Sequence, residues 1–249
     1  MMHGLRKFLL LHVLACLGLT VPGSAIIHGE KASEKSMLYM ASVQENRRHK
    51  CGGFLVGKDL VVTAGQCDVN VREADVVFGH DLRLVENQRK YILKKCKHPR
   101  SKEKEWNDIM LLKLGGEDRP NIKVKPILIP TPDLNITENE KCHVAGWGFT
   151  ETSGKSVDDL RVVDVSVINP KLCRDQLRGL PADVICTGKG FCQGDYGGPL
   201  VCNGMAVGVA SWNRRNADCN YPGVPNVYTD IKKFLPWINA VLKKTACKI

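Results

Sequence analysis

The chain has 249 residues, 43% of them apolar, 25% charged and 6% aromatic, which excludes the disordered and fibrous classes and suits one or two core-bearing domains. Eleven cysteines are too many for a reduced cytosolic protein and too few for a scaffold whose core is replaced by bridges, so a secreted, disulfide-stapled globular protein is expected. Lys and Arg exceed Asp and Glu by 10, a balance that favours an acidic partner such as glycosaminoglycan, nucleic acid, anionic membrane or acidic protein.

At the N-terminus, Arg6-Lys7 precede an apolar run from Phe8 to Leu19 that is too short to span a bilayer. Pro22-Gly23-Ser24-Ala25 then ends in the small-x-small pattern of a signal-peptidase site. Residues 1–25 therefore read as a signal peptide and 26–249 as the folded domain, with an uncleaved anchor as the alternative. Removal of Arg6 and Lys7 takes the net charge to +8. No later segment has the length of apolar sequence that a membrane span needs, so a product secreted or stored in secretory granules is expected.

Short β-branched or aromatic runs follow, separated by Gly, Pro, Asn and Asp: Leu38–Val43, Gly53–Val56, Leu60–Thr63, Val76–Phe78, Ile109–Leu114, Leu160–Ile168, Leu200–Val201 and Met205–Ser211. They predict an all-β fold, and the length of the mature chain suits two packed antiparallel β-barrels. Only the end is helical by pattern: after Asp230, a good N-cap, Ile231, Phe234, Leu235, Ile238, Val241 and Leu242 recur at helical spacing. Pro236 is expected to be tolerable only in a first turn.

Blocks along the mature chain stand in a fixed order: Ile26-Ile27-His28-Gly29, Cys51-Gly52-Gly53, Thr63-Ala64-Gly65-Gln66-Cys67, Asn107-Asp108-Ile109, Ala145-Gly146-Trp147-Gly148, Gly194-Asp195-Tyr196-Gly197-Gly198-Pro199 and Phe234-Leu235-Pro236-Trp237-Ile238. Their order resembles the trypsin/chymotrypsin-like serine proteases over essentially the whole mature chain, most closely the granzyme and mast-cell-protease branch. The resemblance implies two packed six-stranded barrels with a C-terminal helix. It also implies the pairs Cys51–Cys67 around the first catalytic position, Cys142–Cys202 tying the barrels, Cys173–Cys186 closing a helical loop and Cys192–Cys219 bracing the specificity pocket. Without Cys16 ten cysteines remain, so Cys96 and Cys247 pair by elimination, stapling the C-terminal helix to the first barrel; two free thiols are the alternative.

The chemistry departs from that family. A serine peptidase needs a hydroxyl nucleophile, an imidazole that takes and returns its proton, and a buried carboxylate that orients the imidazole. By resemblance Asp108 is that carboxylate, while Gln66 stands at the imidazole position and Tyr196 at the nucleophile position. An amide takes up no proton at neutral pH, and a phenol of pKa about 10 without a base is a poor acyl acceptor. Asp108 then reads as a retained buried carboxylate hydrogen-bonded to Gln66 or Ser211, and none of His28, His49, His80, His98 and His143 lies in a matching motif. Gly194 and Tyr196 supply the oxyanion-hole backbone by resemblance. Gly190, Phe191, Asn213 and Asn226 line the pocket, where the asparagines narrow the slot and Phe191 fills it from beneath, unless these are only surface substitutions. Ile26 and Asp195 are the pair through which a freed N-terminal ammonium orders that pocket in the family.

Arg89, Lys90, Lys94, Lys95, Lys97, Arg100, Lys102 and Lys104 are opposed within their stretch only by Glu103, a local charge of +7, and Arg47-Arg48-His49-Lys50 form a second cluster. Such density reads as a site for glycosaminoglycan or an anionic microbial surface, or else as a solvated loop without a partner. Asn135-Ile136-Thr137 is a glycosylation sequon. No nucleic-acid motif, metal-ligand set or phosphate-cradling loop is present, so no cofactor is expected. The sequence therefore predicts a catalytically inactive, monomeric, secreted protease homologue acting by binding a polyanion or an unidentified protein, with a granzyme-like serine endopeptidase as the alternative.

Overall fold

The structure is a computed structural model that describes residues 26, 29–85, 88–102, 107–116, 124–149, 155–177, 179–188, 190–212, 224–243 and 247, with the Lys102 side chain excepted. The described strands are β1 (Glu30–Lys31), β2 (Met40–Glu45), β3 (Arg48–Leu55), β4 (Leu60–Thr63), β5 (Ala74–Phe78), β6 (Arg89–Lys97), β7 (Met110–Leu114), β8 (Lys141–Gly146), β9 (Arg161–Ser166), β10 (Val184–Thr187), β11 (Pro199–Cys202), β12 (Met205–Trp212) and β13 (Asn226–Asp230). Two helices accompany them, α1 (Pro170–Gln176) and α2 (Ile231–Leu242).

Strands β2-β3-β4-β7-β6-β5 close a six-stranded antiparallel barrel, and a seven-stranded sheet runs β1-β9-β8-β11-β12-β13-β10. Local turn chemistry starts both. Asn46 and Arg47 hold positive φ (52° and 62°) between β2 and β3, and Asn203 and Gly204 do so between β11 and β12 (51° and 75°). That pairing is the I′ turn whose twist matches the flanking strands.

The second unit is a curled sheet rather than the expected fully closed six-stranded barrel. The N-terminal segment adds β1 to the edge of β9, and among the described residues the ends of the curl are hydrogen-bonded through the isolated bridge Val167↔Thr187 rather than a strand pair.

Cys51–Cys67, Cys142–Cys202, Cys173–Cys186 and Cys96–Cys247 are bonded. Cys96 lies on β6 and Cys247 beyond α2, so this bridge does staple the C-terminal end to the first barrel. Cys142–Cys202 corrects the expectation: the two residues face each other in register on neighbouring β8 and β11, so the bridge braces the second sheet and does not tie the barrels. Cys192 is disulfide-bonded as well, and its expected partner Cys219 lies outside the described residues.

Helix α2 begins as predicted, with the Asp230 carboxylate accepting the Lys232 N–H at 3.0 Å. Its buried face is Ile231, Phe234, Leu235, Ile238 and Val241, whereas Leu242 is exposed. The helix also runs straight through Pro236, beyond the first turn where the sequence reading would tolerate it. An interior proline costs about 3 kcal/mol, but each buried aliphatic or aromatic side chain returns about 1.5–3 kcal/mol, and five of them outweigh it. That face joins the first barrel's core together with Val201, Ala206 and Val209 of the second sheet. Among the described residues no helix is long and apolar enough to cross a membrane.

Candidate functional site

Tyr196 is partly buried against the core clusters of both sheets, which puts it in the cleft between them. The turn that carries it is fixed by glycine: Gly197 sits at φ +85°, and a Cβ there would overlap Thr63 Oγ1 and the Gly52 carbonyl. The Gly52 N–H also donates to the Tyr196 carbonyl at 2.8 Å, tying the turn to β3. The Tyr196 ring meets Phe191 edge-on at 5.7 Å between centroids, and Phe191 meets Tyr228 at 5.1 Å. Phe191 is 1% exposed.

A single-turn 3-10 helix, Gly65–Cys67, presents Gln66 to Asp108, which lies just before β7. The Gln66 backbone N–H donates to Asp108 Oδ1 at 2.7 Å and the Gln66 side-chain amide to Oδ2 at 2.6 Å. The Ser211 hydroxyl, from β12, donates to the same Oδ2 at 2.7 Å. The remaining Gln66 amide hydrogen goes to the Ser211 carbonyl, and the Thr229 hydroxyl holds the Asp108 carbonyl at 3.1 Å. Burial pushes the Asp108 carboxyl up, opposed by the Ser211 and Gln66 hydrogen bonds and the Lys97 ammonium. The amide thus occupies the orienting geometry of an imidazole without a nitrogen that can accept a proton.

Asp195 is 1% exposed. Its carboxylate accepts the Gly148 N–H at 2.7 Å and the Cys192 N–H at 2.9 Å, and it lies so close to Gly146 that a Cβ there would overlap it. Burial pushes its pKa up to about 7, the two backbone bonds opposing. Among the described residues no side-chain cation pairs with it. Ile26 is fully buried in the same core cluster as Phe191 and Tyr228.

His49, counted above among the basic residues, is instead a half-buried group held in hydrogen bonds on both ring nitrogens. Its Nε2 meets the Gly194 carbonyl at 2.8 Å and its Nδ1 the Ser42 hydroxyl at 2.8 Å. The carbonyl only accepts, so Nε2 carries the proton and Nδ1 accepts from Ser42. Burial lowers its pKa to about 4. The sequence reading missed this role because the neighbouring Arg and Lys suggested a cation.

Of the pocket residues, Gly190 holds φ +153° against the Tyr228 hydroxyl, Asn226 is 6% exposed with its Oδ1 lacking a hydrogen-bond partner among the described residues, and Asn213 lies outside those residues. Asn135 is exposed in a segment outside the named strands.

The basic segment is largely strand β6, and the count of +7 opposed only by Glu103 does not survive tertiary contact. Arg89 pairs with Asp75 and donates to Gln44 at 3.0 Å, and Lys90 is 8% exposed. Lys95 pairs with Asp68 and donates to the Val69 carbonyl at 2.7 Å, while Lys97 lies 3.9 Å from the same Asp68. Lys50 reaches the Asp68 carbonyl at 3.0 Å and Glu45 at 2.9 Å, so the two basic clusters meet around one acidic loop. Lys94 and Arg100 are exposed and make no ion pair among the described residues. Lys104 and the Lys102 side chain lie outside them.

A closed barrel and a curled sheet whose junction holds a hydrogen-bonded carboxylate, a glycine-fixed turn and a buried aspartate define the two-barrel serine-protease class. The Trypsin family model matches residues 26–238, and the chain belongs to that family. It is 34% identical to granzyme-like protein 1 of Rattus norvegicus over 254 residues, covering 96% of this chain and all of that one. It is 33% identical to granzyme B of the same species with the same coverage. Mouse neuropsin, a serine protease, superposes with a TM-score of 0.78 at 29% identity, covering 87% of this chain and 99% of that one. Human heparin binding protein superposes with a TM-score of 0.76 at 31% identity, covering 87% and 96%.

Proposed function

We propose that this protein is a catalytically inactive serine protease homologue that acts by binding, and that its basic face around β6 engages a polyanion. The observation that carries the first part is the pair of replacements at the cleft: Gln66 spends its amide hydrogens on Asp108 and the Ser211 carbonyl, and Tyr196 supplies a phenol where acyl transfer needs an activated hydroxyl. Triad members act as a unit, and loss of one already costs about 10⁴–10⁶ in turnover. Exposed Lys94 and Arg100, with the partly paired Lys50, Lys95 and Lys97, support the second part, as does similarity to a protein whose name says it binds heparin.

Residues 1–25 are removed in this reading, the product is secreted or granule-stored as a monomer, and the Ile26 ammonium pairs with Asp195. A buried carboxylate whose ionisation is so disfavoured gains most from a cation released beside it. Asn135 carries glycan. A granzyme-like endopeptidase is the competing reading, favoured by family membership. Incubating the mature protein with a broad peptide library decides between them: no cleavage product is expected, and specific cleavage would overturn the proposal.

A further inference from the structure

The second sheet holds a cavity of about 220 Å³ between residues 130–136, α1, β10 and the first turn of α2. Its lining includes none of Gln66, Asp108, Asp195, Phe191, Tyr196 and Ser211, though Val167, Ile185 and Val207 share the core cluster of Phe191. Apolar side chains, Leu134, Ile136, Ile168 and Val184 among them, contribute much of its lining. The Cys173–Cys186 bridge joins α1 to β10 in the lining.

Three cations, Arg174, Lys232 and Lys233, also line the cavity. Lys232 extends from α2 to donate to the Leu134 carbonyl at 2.6 Å, which leaves two of its three N–H donors for another acceptor. The one carboxylate in the lining, Asp230, is engaged as the helix cap on the Lys232 N–H.

An occupant that uses both halves fits best. A sulfated sugar or free phosphate would lose hydration against the aliphatic side chains, and an uncharged hydrocarbon would make no use of the two open donors of half-buried Lys232 or of exposed Lys233. We infer that this cavity binds a fatty-acid-like anionic amphiphile, its acyl chain among Leu134, Ile136, Ile168 and Val184 and its carboxylate on Lys232 and Lys233. This site is separate from the β6 surface and stands independently of the polyanion reading.

Because Asn135 also lines the cavity, calorimetric titration of the deglycosylated mature protein with octanoate, 1-octanol and acetate tests it. Octanoate is expected to bind saturably at one site, 1-octanol at least tenfold more weakly and acetate not at all. Val184→Trp and Ile136→Trp, both in the lining, fill the cavity and should each weaken octanoate at least tenfold. Lys232→Met with Lys233→Met should weaken octanoate tenfold while leaving 1-octanol unchanged, and this surface pair keeps the test decisive where a Trp variant fails to fold. Absence of saturable octanoate binding, equal binding of octanol, or indifference to folded Trp variants would overturn the inference.

Discussion

Asp108→Asn probes the hydrogen-bond group on which the cleft is built, because it keeps the shape and removes one acceptor. Oδ1 takes the Gln66 backbone N–H, and Oδ2 takes both the Gln66 amide and the Ser211 hydroxyl. An asparagine NH₂ at the first position faces a backbone donor that cannot turn away. At the second it faces the Gln66 amide, and flipping that amide abandons the Ser211 carbonyl. Hydrogen bonds to a charged group contribute about 1.5–3 kcal/mol each, and a stranded donor costs about 1–3 kcal/mol. Relief of the carboxylate's burial, which raises its pKa, offsets part of this, leaving a net loss of about 1–3 kcal/mol. For a domain of this size that lowers Tm by about 3–10 °C. Scanning calorimetry at pH 7 reads it directly. Gln66→His, whose imidazole also offers a donor to Asp108, should stay within about 3 °C of wild type. An unchanged or raised Tm for Asp108→Asn would mean that burial of the charge outweighs its hydrogen bonds, and the reasoning would fail.

Three further outcomes are expected. On a heparin column, Lys94→Ala with Arg100→Ala should lower the eluting salt more than Lys95→Ala with Lys97→Ala, since the latter pair shares Asp68, and an exposed field screened over about 8 Å falls steeply with salt; absent shifts would remove β6 from the binding face, and equal ones would refute the weakening by Asp68. His49, with a folded pKa near 4 against 6.5 unfolded, binds its proton more readily unfolded, so its contribution to stability is present above pH 6.5 and is lost as the pH falls towards 4. The Tm drop from pH 7 to 4.5 should accordingly be smaller in His49→Gln than in wild type, and equal drops would contradict the neutral assignment. Mass-spectrometric sequencing of the secreted protein should begin at Ile26; a stable N-terminus at Ser24 would exclude the pairing with Asp195.

Much of the architecture was legible because its signals are local. Leu60–Thr63 is a strand at the predicted bounds, and Asp230 caps the helix as its sequence suggested. Strand β6 was hidden because its lysines mask the alternation that puts Lys90, Ile92 and Cys96 inward. The charge count failed for a related reason: Asp68 and Asp75 are distant in sequence and reach the lysines and Arg89 only through the barrel. Pro236 showed the reverse, since local preference forbade what packing of the surrounding face enforces. At the cleft, Gln66, Asp108 and Tyr196 could be named from sequence blocks, whereas the part played by His49 could not, because nothing local signals its placement between Ser42 and the Gly194 carbonyl.

The central claim, that the cleft is chemically silent, is tested most directly with a fluorophosphonate probe on the mature wild-type protein beside the Gln66→His, Tyr196→Ser variant. Wild type is expected to take up no label. The double variant should also fall far short of ordinary family reactivity, because Phe191 remains packed beneath the nucleophile position. Stoichiometric labelling of wild type at Tyr196 would contradict the account.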